Sequence, residues 1–185
     1  SGLALQLPFD PAEIEYAPLS ASCPRTAFSC DDDIVDRWFH EKALEHHQHH
    51  CNVQVAMAPG DPAPVAFYAT NFQVSQLNRK ILNLIGMVDQ FPSFHLDWLG
   101  VRSEFQGDGL GEIVMGRVFD DFLRAYELGR VPAMTLIPAT KRSRDFYLRL
   151  GFVDLIPSQP MKKMVLPARD FFAAVPLAAF DVDGP

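Results

Sequence analysis

The chain has 185 residues, 48% of them hydrophobic and 21% charged, with a formal net charge of -7. That apolar content supports one compact domain with its own core and excludes a disordered chain. No run of eighteen apolar residues occurs, so no membrane-spanning helix is expected, and the acidic balance argues against an unspecific grip on nucleic acid.

Residues up to about position 28 are Pro-rich and irregular, with "AEIEYAPL" the only predicted strand. They lack a basic flank and a continuous hydrophobic stretch, so no signal peptide is read and a cytoplasmic protein is expected. Cys23, Cys30 and Cys51 are odd in number and lack C-x-x-C spacing, which suits reduced packing residues. Three aspartates then precede "IVDRWFHEKALEHHQHH" and supply an N-cap and favourable charge for a helix from Asp33 to His49. Its apolar stripe is Ile34, Val35, Trp38, Phe39, Ala43 and Leu44.

"NVQVAM" and "VAFYATNFQVSQL" read as antiparallel strands joined by the Pro/Gly-punctuated "APGDPAP". "FHLDWLGV" is a further strand. Leu110, Val114, Val118, Phe122 and Tyr126 recur at every fourth position and mark a helix to about Leu128. "PAMTLIP" reads as a short buried strand, and a helix through "KRSRDFYLRL" ends at Gly151, a natural C′ residue. "GFVDLI" and "MKKMVLP" complete a mixed α/β sheet in a single domain. The boundaries are 1–27 for an irregular segment, 28–166 for the domain and 167–185 for a tail.

Between the strand "FHLDWLGV" and the long helix lies "EFQGDGLGEIVMGRV". Glycines let backbone approach a ligand, and the first turn of a helix offers unpaired N–H groups to an anion, so a pyrophosphate suits this turn. The dinucleotide fingerprint would need a glycine where Glu112 stands. The triphosphate loop would need Lys and Ser/Thr where Arg117 and Val118 stand.

Gln106, Gly109 and Gly111 fit the Gln/Arg-x-x-Gly-x-Gly/Ala pattern, and "FYLRLGF" follows from Phe146 to Phe152. In these motifs and their order the sequence resembles the GCN5-related N-acetyltransferase (GNAT) superfamily, from Phe28 to Leu166. The resemblance implies a mostly antiparallel sheet with a splayed central strand pair, and acetyl-CoA as cosubstrate. It implies cofactor binding by Leu99, Gly100 and Val101, by Gln106, Gly107, Asp108, Gly109, Leu110 and Gly111, and by Thr140 and Ser143. Asn is commoner in the family where this chain has Thr140. Tyr147 is the implied acid for the departing thiolate, because a phenol with a pKa near 10 donates a proton without ionising first. His95 and Asp97 are the candidate proton acceptors. Strand alternation puts both on the face of Leu99 and Val101, and His95 is expected to titrate nearer neutral pH.

"EHHQHHC" has His46 and His50 at i, i+4 spacing with Cys51 beside them, but Gln48 and His47 intervene and no third ligand is evident. It reads as a solvated helix end, and no metal is expected. The stretch from "FSCDDD" through "VAFYA" resembles the opening of GNAT-type toxins, which implies an antitoxin and tRNA as partners. Lys141, Arg142, Arg144, Arg149, Arg79 and Lys80 are candidates for the basic patch this requires. The expected activity is acetyl transfer to a primary amine of a small molecule or protein. The alternative is a toxin acetylating aminoacyl-tRNA. A homodimer is compatible with either, and no membrane partner is expected.

Overall fold

The computed structural model describes residues 7–76 and 90–174. Among the described residues seven strands form one mixed sheet; in chain order they start at Glu15 (β1), Asn52 (β2), Ala66 (β3), Gln90 (β4), Ala133 (β5), Val153 (β6) and Met164 (β7), and their order across the sheet is β1-β2-β3-β4-β5-β7-β6. The chain divides into two compact units, Ser1–Asn71 with Leu96–Asp121, and Phe72–His95 with Phe122–Pro185. Strands β3 (Ala66–Gln76) and β4 (Gln90–Val101) and helix α3 (Leu110–Gly129) contribute to both.

The first unit holds β1 (Glu15–Pro18), β2 (Asn52–Met57) and two helices, α1 (Asp33–Glu41) and α2 (Ala43–His49). β2 pairs antiparallel with β1 and with β3, from Asn52↔Thr70 to Ala56↔Ala66, so the predicted hairpin is present. Asp32 caps α1, its carboxylate accepting from the N–H groups of Ile34 at 3.0 Å and Val35 at 3.2 Å. The single helix predicted to His49 turns at Lys42, where φ is -114°. Backbone bonds from Lys42 N–H to Trp38 O and from His46 N–H to Lys42 O run across that residue, so the helix is kinked, with Phe39 and Ala43 fully buried on either side. Ile34, assigned to the apolar stripe, is instead 63% exposed, because it lies in the first turn beyond the edge of the core.

Aromatic rings fill this core. Phe39 stacks on Phe67 at 4.0 Å between centroids, Trp38 on Trp98 at 4.7 Å, and Phe28 meets both Phe39 and Phe67 edge-on. One position in β4 has to be empty to admit them. A Cβ on Gly100 would lie 2.5 Å from Cε1 of Phe67 and 3.0 Å from Cζ of Phe28.

The second unit holds β5 (Ala133–Leu136), α4 (Lys141–Arg149), β6 (Val153–Asp154), β7 (Met164–Pro167) and α5 (Ala168–Ala174). β7 pairs antiparallel with β5, from Ala133↔Pro167 to Leu136↔Met164, and with β6. β5 is buried along its whole length, with Thr135 its one polar residue. Phe122 of α3 stacks on Phe94 and meets Phe171 of α5, while Phe172 meets Tyr126. Part of the segment read as a tail is thus a helix packed through two phenylalanines. Seven residues are too few for periodicity to announce it.

Gly100→Ala overpacks the aromatic core and is expected to cost about 1–3 kcal/mol. A urea titration would show this as a lowered midpoint; an unchanged midpoint would mean that Phe67 and Phe28 yield freely.

Candidate active site

β4 ends at Val101 and passes through Ser103–Phe105, a turn of 3-10 helix, into the glycine-rich turn. The turn is anchored by one amide. Gln106 Nε2 donates to Val101 O at 3.0 Å and to Cys30 O at 2.8 Å, tying the turn to the strand before it and to the segment leading into α1. Ser103 N–H adds a bond to Ser29 O, and Arg102 N–H one to Val65 O, each 2.9 Å. The Arg102 guanidinium grips Asp61 through two bonds of 2.9 and 2.7 Å and reaches Glu104 at 2.5 Å. That arginine holds the Asp61 carboxyl below its ordinary pKa, and the two carboxylates neutralise the guanidinium. No sequence signal marks Arg102, since its partner lies in a distant hairpin.

Gly107 and Gly109 have φ of +90° and +86°, a region open to glycine at little cost, and a Cβ on Gly107 would meet nothing within 4 Å. Leu110, which opens α3, is fully buried and fixes the helix end in the core. The turn therefore presents open glycine backbone followed by the N–H groups of a twenty-residue helix, which have no intrahelical partners. An acyl-CoA pyrophosphate fits these features: the backbone can approach it closely and the donors favour an anion. Glu112 and Arg117 belong to the helix, and Arg117 lies over the Tyr16 ring and beside Asp121.

Asp97 accepts a short bond, 2.5 Å, from Asn71 Nδ2. Asn71 shares the face of Phe67 and Ala69 by alternation along β3, the face covered by α1. Trp98, next in sequence to Asp97, also turns to that side, onto Trp38. The alternation expected to align His95, Asp97, Leu99 and Val101 is thus interrupted between Asp97 and Trp98, in the manner of a β-bulge. Cys51 lies near Asp97; burial first, and then that charge, push its thiol up to about 11.

In the second unit, Thr140 caps α4 in a reciprocal box: its hydroxyl accepts from Ser143 N–H at 3.1 Å and Ser143 Oγ accepts from Thr140 N–H at 2.9 Å. Both side chains, read from the sequence as cofactor contacts, have this structural role. Gly151, at φ +94°, closes the other end, with Phe152 N–H on Tyr147 O and Gly151 N–H on Leu148 O, both 3.1 Å. The Tyr147 ring is 7% exposed and packs edge-on against Phe146 and Phe152. Its hydroxyl has no hydrogen-bond partner among the described residues. Burial raises its pKa above the ordinary value, so the phenol stays protonated through neutral pH.

His95 is 4% exposed, and its Nδ1 lies 2.8 Å from Thr135 Oγ1. Burial, with a smaller push from the Lys163 charge, lowers its pKa to about 4, so the expectation of near-neutral titration is corrected.

The acetyltransferase (GNAT) family model matches residues 19–152, well over half of the chain. The chain belongs to that family. It is an acyl-CoA-dependent N-acetyltransferase. No curated protein matches the chain. Solved structures do. A tyrosine-to-phenylalanine mutant of KacT has a TM-score of 0.78 at 18% identity, over 88% of this chain and 99% of its own. AtaT complexed with acetyl-methionyl-tRNAfMet has 0.76 at 14%, over 86% and 98%. A mutant AtaT toxin bound to the C-terminus of the antitoxin AtaR and acetyl-CoA has 0.73 at 13%, over 87% and 97%. At these identities the likeness establishes the GNAT fold.

Of the expected basic patch, Lys141 and Arg142 are exposed, Arg144 is paired bidentately with Asp154 and Arg149 lies over the Phe146 ring. Arg79 and Lys80 lie outside the described residues. Around "EHHQHHC", His47 Nδ1 accepts from Val53 N–H at 3.0 Å and His46 meets Trp38 edge-on. No metal-holding group of three His, Cys, Asp or Glu occurs among the described residues. No described helix is long and apolar enough to cross a membrane.

His95 gives the acetyltransferase a pH signature. Its folded pKa of about 4 lies below the ordinary 6.5, so between those values the unfolded chain binds more protons. The resulting stability, on the order of 3 kcal/mol, is complete above pH 6.5 and is lost as pH falls towards 4. Urea unfolding of the wild type and His95→Gln across that window should give curves that converge as pH falls; parallel curves would refute the assignment.

Proposed function

We propose that this enzyme transfers an acetyl group from acetyl-CoA to the amino group of an aminoacyl-tRNA, as a toxin restrained by an antitoxin. The observation carrying this reading is the end-to-end correspondence with AtaT complexed with acetyl-methionyl-tRNAfMet, which spans 98% of that chain. A KacTA–DNA complex, which has a TM-score of 0.71, and the AtaT–AtaR structures support a toxin setting. A small-molecule or protein amine is the second reading, favoured by the chain's net charge of -7, which suits an RNA partner poorly.

Gln106, Gly107, Asp108, Gly109, Leu110 and Gly111 hold the pyrophosphate through backbone N–H groups, and the backbone of Leu99, Gly100 and Val101 aligns the pantetheine arm. Thr140 and Ser143 shape α4 as a capping pair. Acetyl-CoA supplies the acetyl group as a thioester. The neutral amine attacks the thioester carbonyl carbon, a C–N bond forms and the C–S bond breaks. The amine proton passes to His95 or Asp97, and the departing thiolate takes the proton of Tyr147. Asn71 keeps the Asp97 carboxylate oriented by its 2.5 Å bond. No cysteine intermediate is required: burial and the Asp36 hydrogen bond push Cys30 up to about 12, far from a reactive thiolate.

Tyr147→Phe removes the acid and leaves the ring. Its turnover is expected to fall roughly 10²-fold or more, with coenzyme A affinity unchanged, in a thiol-release assay with aminoacyl-tRNA. Expression of the wild type should arrest growth, and Tyr147→Phe should relieve the arrest. A harmless wild type that releases thiol only with small amines would replace the toxin reading with the second one.

A further inference from the structure

The loop between β2 and β3, residues 58–65, is stiff by composition: Pro59, Pro62 and Pro64 each fix φ, and Gly60 takes φ of +74°. It holds Asp61 by two bonds. Asp61 N–H donates to Ala58 O at 3.2 Å, and Ala63 N–H donates to the Asp61 carboxylate at 3.0 Å. Both carboxylate oxygens then accept from the Arg102 guanidinium, at 2.9 and 2.7 Å. Arg102 stands four residues before Gln106, where the chain leaves β4, and its side chain is only 14% exposed. The guanidinium also lies 4.9 Å over the ring of Phe105, which is buried and meets Phe9 edge-on. Arg102 Nε is buried with no hydrogen-bond partner among the described residues. A buried ion pair with a donor left over is a poor source of stability, so its role lies in what it holds in place. Asp61, Arg102, Phe105 and the glycine-rich turn all belong to one compact unit.

We propose that Asp61 and Arg102 are positioning residues for the coenzyme: their ion pair sets how tightly the glycine-rich turn binds the pyrophosphate of acetyl-CoA. The inference rests on the reading that this turn holds the pyrophosphate. The pair acts through the backbone. The two bonds to Asp61 fix Arg102 against the hairpin loop, the contact with the Phe105 ring and the bond from Phe105 N–H to Arg102 O fix Phe105, and Phe105 leads directly into Gln106. From the other side Gln106 is tied to Val101 O and Cys30 O. Glycine backbone such as that of Gly107 and Gly109 is free to take many arrangements unless its neighbours are fixed. With both flanks fixed, the N–H groups stand ready for an anion and less ordering is lost when it binds. Lysine is no substitute for Arg102, since an ammonium is a point charge without the planar fork that matches a carboxylate.

Calorimetric titration of the full-length protein with coenzyme A tests this without an acceptor substrate. Asp61→Asn and Arg102→Lys are each expected to weaken binding about tenfold, and the double variant no more than either alone, because the two residues act as a unit. In thiol-release assays KM for acetyl-CoA should rise by the same factor, while kcat at saturating acetyl-CoA stays within about twofold of the wild type. A pair that is merely structural would lower the urea midpoint and leave the affinity of the folded protein unchanged, and that result overturns the proposal. Additive losses in the double variant overturn it too. Should Asp61→Asn fail to fold, Arg102→Lys carries the same test through its affinity and its split between KM and kcat. Gly109→Val, which strains the turn itself, separates the proposal from the reading beneath it. If that variant binds coenzyme A as the wild type does, the turn is not the pyrophosphate site and the underlying reading falls. If it loses binding while Asp61→Asn and Arg102→Lys keep wild-type affinity, only the positioning role falls.

Discussion

The glycine-rich turn depends on the two hydrogens of one amide. Gln106 donates both, to Val101 O and Cys30 O, and so fixes where β4 stops and where the turn meets the segment from Phe28 to Cys30. A carboxylate in that place would face two carbonyl oxygens with nothing to donate, and a shorter amide would not span them. With the turn held from outside, Gly107 and Gly109 can keep positive φ and leave their backbone exposed for a ligand. A turn held by its own side chains would have filled that space.

Two kinds of preparation occur in this chain, one in each unit, and they draw on different physics. At the turn the preparation is electrostatic: a long helix begins with its first N–H groups without intrahelical partners, and Arg102, just before the turn, is already neutralised by Asp61 and Glu104. An anion there would be recognised by backbone rather than by a mobile side chain, which costs less ordering on binding. At Tyr147 the preparation is desolvation. The ring is enclosed by Phe146 and Phe152 and burial raises its pKa, so the phenol keeps its proton through neutral pH.

Much of this was legible in the sequence, for identifiable reasons. Alternation in "NVQVAM", four-residue spacing from Leu110 to Tyr126 and the glycine at 151 are local signals, and each corresponds to an observed element. What escaped had weak signals. The kink at Lys42 leaves the backbone bonds running across it, and the helix α5 is only seven residues long. Gly100 reads as part of a ligand-binding strand, yet its lack of a side chain is explained by Phe67 and Phe28. Thr140 and Ser143, expected as ligand contacts, also complete a helix cap with their hydroxyls. His95 reads as a near-neutral titrating group because a free imidazole in water is one, and burial lowers its pKa to about 4.

The buried hydroxyls of Ser75, Ser93 and Thr135 bear on the same point. Replacing such groups with apolar side chains of equal size is often neutral or stabilising, because a hydrogen bond inside a protein mostly replaces one to water. Their presence beside buried Phe94, Met134 and Leu136 therefore calls for a reason other than stability. A satisfied chain of donors and acceptors has one property that an apolar core lacks: it has a direction. Running from the Lys163 ammonium at one end and from Nδ1 of His95 at the other, it converges on Ser93 and ends in the Gln73 carbonyl. Each hydroxyl that commits its single hydrogen commits its neighbour, and the last group to be committed is the imidazole. What such a chain supplies is a fixed orientation for the buried imidazole, which an apolar neighbour of equal size could not impose.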